Sequence, residues 1–176
     1  MIKVNIDENM IARAKDRAKA IPPSKNTFMP FDRHVAGFAG EEMIRKSFDG
    51  FVETRGNQVY NYDFLFNNKK IEVKTKLVTS EPRPHYECST YTYFNQQTEY
   101  LVFNRVFNSD KSSKYSWPHG WILGWITYDR FHEIKNFIPK GQLQPNGFKT
   151  RTSTWNIFIR DLNPIETLME ELLAES

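Results

Sequence analysis

The chain has 176 residues, of which 39% are hydrophobic, 15% aromatic and 26% charged, a balance that excludes a disordered or collagen-like polymer and lets one domain bury its own core. One cysteine, Cys88, excludes an internal disulfide and a cysteine zinc cage. With no cleavable leader and no apolar run long enough for a bilayer, a cytoplasmic setting away from membranes is expected. Net charge is +3, but residues 162–176 carry Glu166, Glu170, Glu171 and Glu175 and no base, leaving 24 bases against 17 acids elsewhere. That excess permits a polyanionic partner without demanding one.

Taken in chain order, Ile6, Met10, Ile11 and Ala14 recur at helical spacing among Arg13, Lys15, Arg17 and Lys19, so an amphipathic helix is expected from Asn5 to Ala20, stopped by Pro22-Pro23. Its bases read as a solvated face, with nucleic-acid contact as the alternative. A second helix is expected from Arg33 to Phe48, capped by Asp32, with Val35, Phe38, Ala39, Met43, Ile44 and Phe48 as its buried stripe. Gly37 and Gly40 inside it suggest that another backbone comes close.

Phe51 to Arg55 reads as a strand, Gly56-Asn57 as a turn, and Val59 to Phe66 with Lys70 to Val78 as a hairpin. The aromatic segment with Tyr86, Tyr91, Tyr93 and Phe94 is expected to be loop or short helix. "EYLVFNRVF" (Glu99 to Phe107) and "WILGWIT" (Trp121 to Thr127) read as central strands buried on both faces. A short helix near Asp129 to Asn136, a turn at Pro145-Asn146-Gly147, a strand at Trp155 to Ile159 and a helix from Pro164 to Ala174 follow. Trp117, Trp121, Trp125 and Trp155 read as core. No repeat or inter-domain linker interrupts the chain. One domain is therefore expected, with a helix and arm at 1–30, a core at 31–130 and an extension at 131–176.

The stretch "NYDFLFNNKKIEVKTK" carries the chemistry. A two-residue turn at Asn67-Asn68 pairs Phe66 with Lys69, Leu65 with Lys70, Phe64 with Ile71 and Asp63 with Glu72. Tyr62, Phe64, Phe66, Ile71 and Val73 then share a core face, and Asn61, Asp63, Lys70, Glu72, Lys74 and Lys76 share the other. Like charges directly across two strands are destabilising. Two carboxylates held together make sense if a hard divalent cation such as Mg²⁺ sits between them. A solvated face whose acids are bridged by Lys74 or Lys70 is the competing reading. The four histidines lie far apart and suggest no zinc site.

Tyr62-Asp63, Glu72-Val73-Lys74 and Gly40-Glu41-Glu42 resemble the motifs of the PD-(D/E)XK nuclease superfamily, over about residues 32–76 with Glu99 to Phe107 as a continuation. Tyr62 stands where the name-giving pattern has proline. The resemblance implies an α/β fold with a restriction-endonuclease-like core of helix, three-stranded meander, helix and strand. It further implies a mixed sheet with added N- and C-terminal helices.

By the same resemblance, Asp63, Glu72 and the Val73 carbonyl would hold Mg²⁺ or Mn²⁺. Lys74 would assist the attacking water, and Glu41 or Glu42 would be the helical carboxylate. Lys69, Lys70, Lys76 and Arg83 would rim the site, and Tyr86, Tyr91 and Tyr93 would stack on bases. Gln96 and Tyr100 fit a Gln-x3-Tyr element of some exonuclease branches. The implied activity is a Mg²⁺-dependent deoxyribonuclease, acting as an endonuclease, of the small stand-alone kind found in phage and bacteria. DNA is the implied partner, and a homodimer is one arrangement, with the first helix as its contact. A nucleic-acid-binding or assembly module that keeps the fold without catalysis is the alternative.

Overall fold

A computed structural model of the chain describes residues 1–21, 30–53, 62–92, 98–110, 112–144, 147 and 149–174. The architecture is α/β, with a six-stranded mixed sheet in the order β1-β7-β6-β4-β3-β2 beside a three-stranded sheet, β5-β9-β8. The strands of the large sheet are β1 (Ile2–Asn5), β2 (Val52–Glu53), β3 (Phe64–Phe66), β4 (Lys69–Val78), β6 (Tyr100–Phe107) and β7 (His119–Thr127). The small sheet holds β5 (Glu87–Tyr91), β8 (Asn136–Ile138) and β9 (Thr154–Phe158).

The Asn67-Asn68 turn has φ of 47° and 64°, the left-handed pair that closes a two-residue hairpin in the sense of strand twist. It fixes Phe64↔Ile71, Leu65↔Lys70 and Phe66↔Lys69, as the sequence predicts. The ladder ends there: Asp63 does not pair with Glu72, because its N–H donates to the Ile71 carbonyl at 3.0 Å and the chain leaves the strand. On its other edge β4 runs parallel to β6, with Glu72↔Leu101, Lys74↔Phe103 and Lys76↔Arg105 in register.

Two helices form one layer on the sheet. The first, α1 (Glu8–Lys19), begins after Asp7, whose Oδ1 accepts from the Met10 N–H at 2.9 Å. The residues before it form β1 against β7, so the helix does not start at Asn5. Met10, Ala14 and Ala18 are buried against α2 (Phe31–Ser47), which spends the apolar face of α1 inside its own core. Asp32 does not cap α2; it accepts from Tyr115 Oη at 2.8 Å within the first turn. A Cβ on Gly40 would lie 1.9 Å from Thr75 Oγ1, so this glycine lets α2 seat directly on β4, against a side chain rather than a backbone. Gly37 has open space. The Gly40 carbonyl also accepts from Asn104 Nδ2 at 2.9 Å, which ties α2 to β6.

Phe64, Phe66, Ile71, Val73, Val102 and Val106 meet α1 and α2 in one apolar cluster. Leu101, Phe103, Trp121, Leu123 and Ile126 form a second on the other face, with Cys88, Ile157 and Phe131 of α3 (Tyr128–Ile134). Trp117, Trp121 and Trp125 are buried as expected, and Trp155 is half-buried under the Lys135 ammonium, 4.3 Å from its ring centre. A 3₁₀ turn at Ile165–Thr167 and α4 (Leu168–Ala174) close the chain.

The expected loop or short helix around Tyr86 and Tyr91 is the strand β5, which pairs with β9. Among the described residues, no helix lies between β4 and β6. Asn61, Tyr93, Phe94, Gln96, the Gly56-Asn57 turn and the Pro145-Asn146 part of the last turn lie outside the described residues.

Candidate functional site

At the open end of the hairpin, beyond Phe64 and Ile71, Asp63 folds over the edge of β4. Its Oδ2 accepts from the Val73 N–H at 2.8 Å, which fixes the carboxyl against the β4 backbone. Glu72 is 4% exposed, and its Oε1 accepts from Lys74 Nζ, one pleat along the same face. Glu41, 8% exposed, reaches this place from α2 and accepts from Arg17 Nη2 at 2.6 Å.

Electrostatics ties these groups together. Burial raises the Glu41 carboxyl well above the usual glutamate range, and the Asp63 charge raises it further, with Glu72 adding a smaller push; Arg17 opposes all three. Burial also raises Asp63. The Val73 amide, the charges of Lys74 and Arg17, and a hydrogen bond with the Glu72 carboxyl pull it back.

Of the two adjacent helical acids, Glu41 faces Asp63 and Glu72. Glu42 is buried under α1 instead, where Arg13 Nε donates to its Oε2 at 2.7 Å and Arg45 stands 3.4 Å from its Oε1. Arg13 and Arg17 are therefore ion-pair partners of α2, Arg17 half-buried and Arg13 still exposed on the solvated face. Arg17 also lies over the Phe38 ring at 4.3 Å. Sequence reasoning missed Arg17; its only signal is that it stands one helical turn after Arg13, on the same face of α1.

Among the described residues, no three His, Cys, Asp or Glu side chains are arranged to hold a metal ion. Asp63 and Glu72 offer carboxylate oxygens, the ligand type that a hard divalent cation takes. Arg17 on Glu41 and Lys74 on Glu72 provide positive charge in the same place.

The nucleic-acid candidates divide. Lys70 lies toward the hairpin turn, its N–H donating to Glu99 Oε2 at 2.8 Å and its ammonium 5.7 Å from the Tyr62 ring centre. Lys69 is buried and reaches the Glu171 carbonyl at 3.3 Å, so it does not rim the acids. Arg83 is exposed in the segment leading to β5, and Tyr91 is half-buried in that strand. Lys76 and Tyr86 gather instead around Arg105. Tyr100 is buried against Trp125, with its Oη 3.5 Å from Glu171 Oε1. An open groove of about 770 Å³ is lined by Lys140, Lys149 and Arg151 and contains none of the site residues.

No family model, curated protein or solved structure matches this chain. The site's chemistry therefore rests on its own residues. No helix among the described residues is long and apolar enough to cross a membrane.

Proposed function

We propose that the chain is a metal-dependent nuclease that hydrolyses phosphodiester bonds of DNA. The observation that carries this reading is the convergence of Glu41, Asp63, Glu72 and Lys74, drawn from a helix and a hairpin, in one partly desolvated place. Asp63 and Glu72 would hold Mg²⁺ or Mn²⁺, with Glu41 behind them. A cation there withdraws charge from the phosphodiester and from the attacking water. Lys74 supplies a fixed positive charge beside Glu72, placed to hold negative charge as it develops on the attacking oxygen. Asp63 is oriented by the Val73 amide, and Glu41 by Arg17.

The finer fold reading, a restriction-endonuclease-like core, is part of the same proposal. It is supported by α2 followed by an antiparallel β2-β3-β4 meander with β6 parallel to β4. An endonucleolytic mode, a homodimer that cuts both strands and an intracellular, phage-encoded setting go with it.

The test is incubation with linear, circular, branched and single-stranded DNA in Mg²⁺ and in EDTA. Wild type is expected to cut only with Mg²⁺, and Lys74→Ala to lose about 10²–10³-fold of the rate with its circular dichroism unchanged. A second reading, a binding or assembly module without catalysis, is favoured by the ion pairs Arg17–Glu41 and Lys74–Glu72, which neutralise two of the acids from within the chain. DNA binding that survives EDTA with no cleavage of any substrate selects it.

A further inference from the structure

A second constellation lies further along the same face of β4. Arg105 is 4% exposed in the middle of the sheet, its Nη2 donating to the Glu87 carbonyl at 3.1 Å and its guanidinium 5.1 Å from the Tyr86 ring centre. Its register neighbour on the parallel strand is Lys76. Among the described residues, neither cation has a carboxylate within ion-pair distance. The Cys88 thiol and the Glu87 carboxylate both act on Lys76 from a distance, and Glu87 is bonded to Asn156 Nδ2 at 2.8 Å instead.

Buried charges are ordinarily paired, because an isolated one loses several kcal/mol of hydration. Like charges on adjacent strands add to that cost. Here the buried Arg105 and its neighbour Lys76 stand side by side without a paired carboxylate among the described residues. Desolvation, then the Arg105 charge, holds Lys76 below the usual lysine range against the pull of Cys88 and Glu87, while its side chain still reaches solvent.

We propose that Lys76 and Arg105 form a phosphate subsite that holds the sugar–phosphate backbone of a nucleic-acid strand one pleat beyond Lys74. Lys76 and Lys74 point to the same face, about 6.6 Å apart along β4, a step on the scale of one nucleotide. Lys76 reaches solvent and contacts the phosphate, while Arg105 supplies fixed positive charge behind it, held in place by Glu87 and Tyr86. A strand with one phosphodiester at Lys74 would thus lay a neighbouring phosphate on Lys76. The inference rests on the nuclease reading for the identity of the strand.

The test is made on the full chain in EDTA, so that it does not depend on cleavage. A single-stranded oligodeoxynucleotide is titrated at several salt concentrations, with inorganic phosphate as competitor. Lys76→Ala is expected to bind about tenfold more weakly and to reduce the log–log salt slope by about 0.7, the amount for one phosphate on a single strand. Arg105→Met, which keeps the apolar stem, is expected to act in the same direction; Lys76→Ala, at an exposed position, decides the matter if Arg105→Met does not fold.

Phosphate is expected to compete with the oligonucleotide on wild type and to lose that effect in Lys76→Ala. Unchanged affinity and slope in Lys76→Ala overturn the proposal, as does a wild type that binds neither probe. Phosphate binding without oligonucleotide binding marks a free-anion site and overturns the strand assignment. Lys76-dependent binding with no Mg²⁺-dependent cleavage leaves the subsite standing and removes the nuclease reading, whereas cleavage with affinity indifferent to Lys76 does the reverse.

Discussion

The two halves of β4 solve opposite electrostatic problems. Around Glu72, three carboxyls crowd together, and cations from elsewhere in the chain answer them: Arg17 reaches Glu41 from α1, and Lys74 turns onto Glu72. Around Lys76, two cations stand together, and no acid among the described residues answers them within ion-pair distance. The acidic half is thus neutralised from within, while the basic half keeps its charge. A chain selected for stability alone would have little reason to leave the second half unbalanced, since an opposite-charge pair across the same strands contributes about 0.2–1 kcal/mol.

Breaking the acidic half's own neutralisation is expected to have the largest effect. Arg17→Ala strands Glu41 in a buried place, at a cost of about 3–5 kcal/mol in unfolding free energy by denaturant titration near neutral pH. Because the folded Glu41 carboxyl titrates above its unfolded value, its contribution is fully present below the ordinary glutamate range and is lost as pH rises through the folded value. Wild-type melting temperature without divalent cations should therefore fall over that rise, Glu41→Gln should remove much of the fall, and the Arg17→Ala penalty should shrink as pH is lowered. A flat profile in all three proteins would break the comparison at its acidic end.

The seat of α2 gives a smaller effect. Gly40→Ala drives a methyl into Thr75 and should cost about 1–3 kcal/mol, with Thr75→Ala recovering part of it in the double variant. If Gly40→Ala instead leaves the unfolding midpoint unchanged, the helix is not held against β4 at Gly40 and Glu41 is positioned by other contacts. The smallest effect sharpens the basic half: Lys76→Glu places an acid beside Arg105 and should raise stability by about 0.2–1 kcal/mol while weakening oligonucleotide binding. Loss of stability in Lys76→Glu would mean that Arg105 is already balanced.

Periodicity made the strands β4, β6 and β7 readable, because their alternating or continuous apolar runs are long and set in the sheet's interior. The short strands β1 and β5 were not readable. "IKVN" and "ECSTY" have weak local signals and become strands because β7 and β9, distant in sequence, offer edges to pair with. The Asp63–Glu72 encounter was legible from the turn, but the way it is made was not: a regular ladder predicts a cross-strand pair, whereas Asp63 caps the Val73 amide after the ladder has ended. Arg105 was hidden inside "EYLVFNRVF", which reads as a central strand buried on both faces and gives its single base no signal of its own.

By itself the sequence determined the hairpin, its register and the faces of its residues, since a two-residue turn and a period of two leave little else open. Only the tertiary structure decided which of Glu41 and Glu42 meets the hairpin acids, which helix supplies their counter-charge, and that Lys76 has an arginine beside it. Those choices depend on distances between segments far apart in the chain, where packing through Gly40, Thr75 and Asn104 sets positions that no local pattern records.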